Sequence, residues 1–118
     1  MIYYHGTTKE KKGQIIKNGF VLSYGRFGIG AYFSSNLEES KNFGPEILKI
    51  EVSSNKVKEI YYPDLIKIYP DLSIDEEEGI SELKEYVISQ GYLAASIKYV
   101  SNDVELCIYD TDIINKMQ

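Results

Sequence analysis

The order of extended and helical segments constrains this chain more than any other feature of its sequence. Ile2 to His5 reads as a short strand that ends at Gly6. Lys9 to Asn18 places Ile15 and Ile16 among polar residues, with Gly19 just past the end, which predicts a helix with a glycine stop. Phe20 to Leu22 is a short extended piece, and Ser23 to Gly30 reads as a glycine-bearing loop before a strand from Ala31 to Ser34. Ser35 or Asn36 caps a short helix with Glu38 and Glu39 in its first turn, ending near Phe43-Gly44-Pro45. Ile47 to Val52 and Val57 to Tyr62 are strands, and Pro63 to Leu72 reads as irregular. Ser73 opens the longest helix, with Asp75-Glu76-Glu77-Glu78 in its first turn, an apolar face of Ile80, Leu83, Val87 and Ile88, and Gly91 past its end. Tyr92 to Tyr99 and Glu105 to Asp110 are strands around a turn at Ser101-Asn102-Asp103. Strands outnumber helices and the two do not alternate, which excludes a doubly wound sheet and predicts an α+β fold with mainly antiparallel pairing.

At 118 residues, one small domain over 1–118 is expected, and a hydrophobic fraction of 43% suffices for a core. A net charge of −5 disfavours a protein that grips phosphate backbones by general electrostatics, so a protein partner is expected over nucleic acid. The single cysteine, Cys107, sits in an alternating apolar run and reads as a core residue, which suits the cytosol. Neither a signal peptide nor a membrane-length apolar stretch is evident, so a cytoplasmic monomer away from membranes is expected.

Gly25, Gly28 and Gly30 invite a phosphate-loop reading, which the surroundings oppose. The spacing is G-x-x-G-x-G rather than G-x-G-x-x-G, and Ala31-Tyr32-Phe33 that follows is strand-like rather than helical. No Lys-Ser/Thr pair follows, so there is no Walker loop. The glycines taken alone read as a plain turn; the functional reading is a loop whose missing side chains let the backbone pass close to a ligand and deliver Tyr32 into it.

His5-Gly6-Thr7, the strand Gly28-Ile29-Gly30-Ala31-Tyr32-Phe33, Ser40 with Phe43 on the next helix, Gly91-Tyr92, and Glu105 opening the run to Tyr109-Asp110 follow one another in order. This set resembles the His-Tyr-Glu pattern of the ADP-ribosyltransferase superfamily, and is most similar to its polymerase-like, diphtheria-toxin-like branch. The resemblance implies split antiparallel β-sheets flanked by a few short helices. It implies NAD as the ADP-ribose donor, with no metal. Nicotinamide is a flat, positively charged ring, and Tyr32 and Phe43 would sandwich it with a cation–π contribution of roughly 0.5–2 kcal/mol. The backbone of Gly6 and the hydroxyl of Ser40 would hold the carboxamide. His5 would bond a hydroxyl of the adenosine ribose, assisted by Thr7. Glu105 would bond the other ribose and stabilise the positive charge that builds as nicotinamide leaves. Asp103, two residues before Glu105, would orient the acceptor, as acidic residues at that offset do in toxin-like relatives.

Ile29 stands where polymerase relatives often carry lysine, and Phe43 where tyrosine is common. The chain lacks room for the accessory helical domain of chain-elongating enzymes. Transfer of a single ADP-ribose, to a macromolecular or small-molecule acceptor with protein favoured over nucleic acid, is therefore expected over polymer synthesis. The same residues would serve an NAD glycohydrolase with water as acceptor. An RNA 2′-phosphotransferase shares the fold but needs more basic residues. A catalytically silent NAD- or ADP-ribose-binding module is opposed by the glutamate at position 105. The Lys-, Ile-, Asn- and Tyr-rich composition suits a bacterial or phage genome.

Overall fold

A computed structural model of the chain describes residues 2–70 and 77–118, with residues 77–81 described by their backbone alone. Among the described residues fifteen short elements follow in order. They begin with β1 (Ile2–Thr7), α1 (Lys9–Asn18), β2 (Ser23–Gly25) and β3 (Gly28–Ser34). After β3 come α2 (Leu37–Ser40), a 3₁₀ turn (Lys41–Phe43), β4 (Glu46–Val52), a second 3₁₀ turn (Ser54–Lys56) and β5 (Val57–Tyr61). The rest are α3 (Tyr62–Ile68), α4 (Glu77–Ser89), β6 (Ala94–Lys98), β7 (Val104–Ile108), a third 3₁₀ turn (Thr111–Ile113) and β8 (Ile114–Met117). The fold is α+β. Its strands lie in the order β5-β6-β7-β3-β1-β4-β8, with β2 paired to β3 off that path. Every pairing is antiparallel except β5 with β6. A parallel pair needs a crossover, and the segment carrying α3 and α4 supplies it.

The sheet is apolar on both faces, because strand alternation sends neighbouring residues to opposite sides. On one side Tyr3, Phe33, Ile50, Val52, Val57, Ala94, Leu106 and Ile108 pack together, so the sheet curls its two flanks onto one another. On the other, Phe27, Ile97, Cys107 and Tyr109 meet Leu65 of α3 and Leu83 and Val87 of α4. Glu105 and Cys107, two residues apart on β7, face this second side.

Local signals explain most boundaries. Thr8 caps α1 by accepting from the Lys11 N–H at 3.2 Å, and the Gly19 N–H closes its other end on the Ile15 carbonyl at 2.7 Å. Asn36 caps α2 by accepting from the Glu39 N–H at 3.1 Å. Four expectations change. The segment 23–30 is a hairpin of β2 and β3, not a loop, since Gly28 and Gly30 lie within β3. Phe20 to Leu22 joins no strand. Tyr62–Ile68 is helical, because Pro63 sits in the first turn, where its missing N–H costs nothing. Ile88 is largely exposed, outside the buried face of α4. The capping role of Ser73 and the acidic residues Asp75 and Glu76 lie outside the described residues, as do the side chains of Glu77, Glu78 and Ile80. Among the described residues no helix is long and apolar enough to cross a membrane.

Candidate functional site

β1 is the strand around which the site opens. It pairs with β4 over six residues, from Ile2 opposite Glu51 to Thr7 opposite Glu46. It pairs with β3 at one position only, Tyr4 opposite Ser34. Beyond that position the two strands part, and a cleft of about 150 Å³ lies between them. Its lining includes His5 and Gly6 of β1, Tyr32 and Ser34 of β3, Ser40 of α2, the ring of Phe43, and Glu105 of β7. A larger cavity of about 600 Å³ shares His5, Gly6, Tyr32 and Phe43 with it and runs along α1, past Thr7, Lys11, Gln14 and Asn18.

His5 spans the gap that the missing ladder leaves. Its Nδ1 lies 2.8 Å from the Tyr32 carbonyl. A carbonyl only accepts, so Nδ1 carries the proton, and in the neutral ring Nε2 is left as an acceptor. Phe20 and Phe33 hold the imidazole at ring distances of 5.4 and 5.5 Å.

Tyr32 presents a ring wall, while its hydroxyl serves the hairpin. The hydroxyl donates to the Gly28 carbonyl at 2.6 Å and accepts from the Phe27 N–H at 3.0 Å. Burial, with Cys107 as neighbour, holds the phenol far above its ordinary range, so it stays neutral. A side chain on Gly25 would collide with this ring. The space that Gly25 leaves is thus filled by Tyr32, which corrects the expectation of a glycine backbone open to ligand. The same correction applies in part to Gly6, where an added Cβ would meet the Ser40 carbonyl. Glycine there lets β1 abut the end of α2. Ser40 is buried and its hydroxyl donates to the Asn36 carbonyl at 3.1 Å, which leaves its oxygen free to accept. Phe43, at 73% exposure, stands out at the mouth of the cleft.

Glu105 is half-buried, not a solvated edge charge. Its Oε1 accepts from the Tyr99 hydroxyl at 2.7 Å. Among the described residues its other oxygen has no hydrogen-bond partner. Asp103 lines neither cavity. It lies against Asn36, whose Nδ2 is 3.4 Å from Oδ1, and so ties the turn before β7 to the cap of α2.

Sequence reasoning missed Tyr99, Tyr62 and Arg26. Arg26 donates to the Tyr62 hydroxyl at 2.7 Å, and the rings of Tyr62 and Tyr99 lie 4.9 Å apart. One signal was available: Arg26 is the only arginine in the chain, set in a hairpin turn among aromatics. Among the described residues no group of three His, Cys, Asp or Glu side chains gathers that could hold a metal. No protein-family model matches the chain, and no curated protein is significantly similar to it.

Proposed function

We propose that this protein is an NAD-dependent mono-ADP-ribosyltransferase with an ADP-ribosyltransferase-like split sheet. One observation carries the reading. Five residues from four separated segments of the chain, His5, Tyr32, Ser40 with Phe43, and Glu105, line a single cleft. Each has a distinct task on one dinucleotide.

The residues fit NAD. Tyr32 offers a fixed aromatic wall and Phe43 a free one, suited to a flat cationic ring. Gly6 supplies backbone, and Ser40 an accepting oxygen, for a carboxamide. Nε2 of His5 accepts from a ribose hydroxyl, beside Thr7 in the larger cavity. That cavity has the size of a nucleotide-scale site. Glu105 keeps one carboxylate oxygen for the nicotinamide ribose and opposes the positive charge that develops there. NAD supplies the activated glycosidic bond. The chain binds it, orients it and stabilises charge. The acidic composition favours a protein acceptor.

The test is incubation with labelled NAD and cell lysate, with nicotinamide release followed alongside. Labelled macromolecule is the expected product, and free ADP-ribose alone would indicate hydrolysis instead. Glu105→Gln keeps the side chain's size but loses its charge, so NAD binding should persist while turnover falls by about 10²–10³. Turnover equal to the parent's would remove Glu105 from the chemistry and the assignment with it.

A further inference from the structure

Glu105 ends a chain of contacts that starts outside both cavities. Tyr99 follows β6 and is fixed by its turn, its N–H bonding the Asp103 carbonyl at 2.9 Å. Its hydroxyl reaches Oε1 of Glu105 at 2.7 Å. Its ring packs on Tyr62 at the start of α3. Tyr62 in turn is gripped by Arg26, whose guanidinium bonds its hydroxyl and lies 5.3 Å from its ring centre. Three segments of the chain therefore converge behind one carboxylate.

We propose that Tyr99 is a positioning residue for Glu105, and that Arg26 acts through Tyr62 to hold Tyr99 in place. The inference rests on the role given to Glu105 above. A glutamate side chain has three rotatable bonds, and a short bond to one oxygen fixes which way the other faces. A hydrogen bond to an ionised carboxylate is stronger than one between neutral groups. The donor here is neutral, and it stays so because burial and the carboxylate itself raise the Tyr99 phenol above the usual tyrosine range. An arginine in the same place would orient Glu105 too, but its charge would cancel the one the reaction needs. Arg26 is kept off that position. It bonds a tyrosine hydroxyl, and among the described residues it forms no ion pair. The arrangement aims Glu105 through a neutral donor, with Arg26 felt by the carboxylate only from beyond ion-pair distance.

Tyr99→Phe removes only the hydroxyl and keeps the ring packed on Tyr62. It should lower kcat by about 10- to 100-fold, the scale of one hydrogen bond to a charged group, with KM for NAD changed less than about twofold. Arg26→Gln should give a smaller loss of the same kind. Unchanged kcat in Tyr99→Phe, or a fall matched by a rise in KM, would overturn the proposal. A second readout needs no activity. The Tyr99 hydroxyl proton should appear in the NMR spectrum as a slowly exchanging signal lost in both Tyr99→Phe and Glu105→Ala. Persistence of that signal in Glu105→Ala would also overturn it. A parent without NAD turnover but with this signal would count against the proposed function while leaving the Tyr99–Glu105 contact in place.

Discussion

β1 has two neighbours and treats them differently. On the β4 side, all six residues from Ile2 to Thr7 find partners. On the β3 side the ladder stops after Tyr4. The same residues, His5 and Gly6, are thus zipped along one edge and open along the other. The closed edge is stabilised by generic backbone bonding. On the open edge the imidazole of His5 takes the place of a ladder bond by meeting the Tyr32 carbonyl, and the end of α2 lies against Gly6. A backbone polar group left unpaired and buried is costly, so a parted ladder demands such a substitute. His5 of the candidate site therefore also spans the cleft.

Gly6→Ala should break this contrast most severely. Its methyl group would run into the Ser40 carbonyl, a backbone atom that can move only if α2 moves. A loss of roughly 1–3 kcal/mol or more is expected in urea denaturation, together with loss of NAD binding. Alanine at Gly13, where added atoms meet nothing within 4 Å, is the matched control and should leave both intact. Equal behaviour of the two variants would show that β1 and α2 are not in register as described.

Tyr32→Phe sharpens the contrast by separating ring from hydroxyl. Two hydrogen bonds to the hairpin vanish, costing roughly 1–2 kcal/mol of stability. The ring remains, so NAD affinity should change only a few-fold. Tyr32→Ala should lose about tenfold in affinity or more, measured where circular dichroism shows the variant folded. A Phe variant of parental stability would mean that the hydroxyl holds nothing.

The smallest effect concerns the floor beneath the cleft. Cys107, opposite Tyr32 in the β3–β7 ladder, is fully buried, and burial pushes its thiol up from 9.0 to about 12. The folded protein keeps this proton where the unfolded chain has lost it. Stability is therefore whole below the unfolded value of 9.0 and falls as pH rises toward about 12. Tyr32, Tyr99 and Tyr109, all raised by burial from 10.0, act in the same direction. Urea midpoints should decline slightly from neutral pH to about pH 9.5, and native protein at neutral pH should resist thiol reagents until it unfolds. Rapid modification of Cys107 in the native state would show that the floor is open too.

The sequence made the span of α1 legible, because Gly19 is local punctuation read without knowing the fold, while the cap by Thr8 came only with the structure. It made the β3 and β7 positions of Tyr32 and Glu105 legible through their motif surroundings. It hid the β2–β3 hairpin, since glycines there have no side chains to alternate. It hid α3, since Pro63 reads as a breaker unless the helix is known to start beside it. β8 is a partly polar edge strand that exists only because β4 offers it a partner. The room that Gly6 and Gly25 leave was visible, but not what fills it, because the Ser40 carbonyl and the Tyr32 ring arrive from elsewhere. The Arg26–Tyr62–Tyr99 series joins three separated segments by packing alone, and no spacing rule connects them.

The place of β7 in the sheet has a consequence in time. β7 lies between β6 and β3, and it carries Glu105. A ribosome delivers β1, β3 and β4 first, so His5, Tyr32, Ser40 and Phe43 are made well before the glutamate that completes the set. Until β7 slots in, β3 presents an unpaired edge and Cys107 has no core to enter. The same insertion fills the middle of the sheet and brings the carboxylate beside the other residues of the cleft. On the proposed function, a growing polypeptide lacks the charge that NAD cleavage needs until this strand is in place.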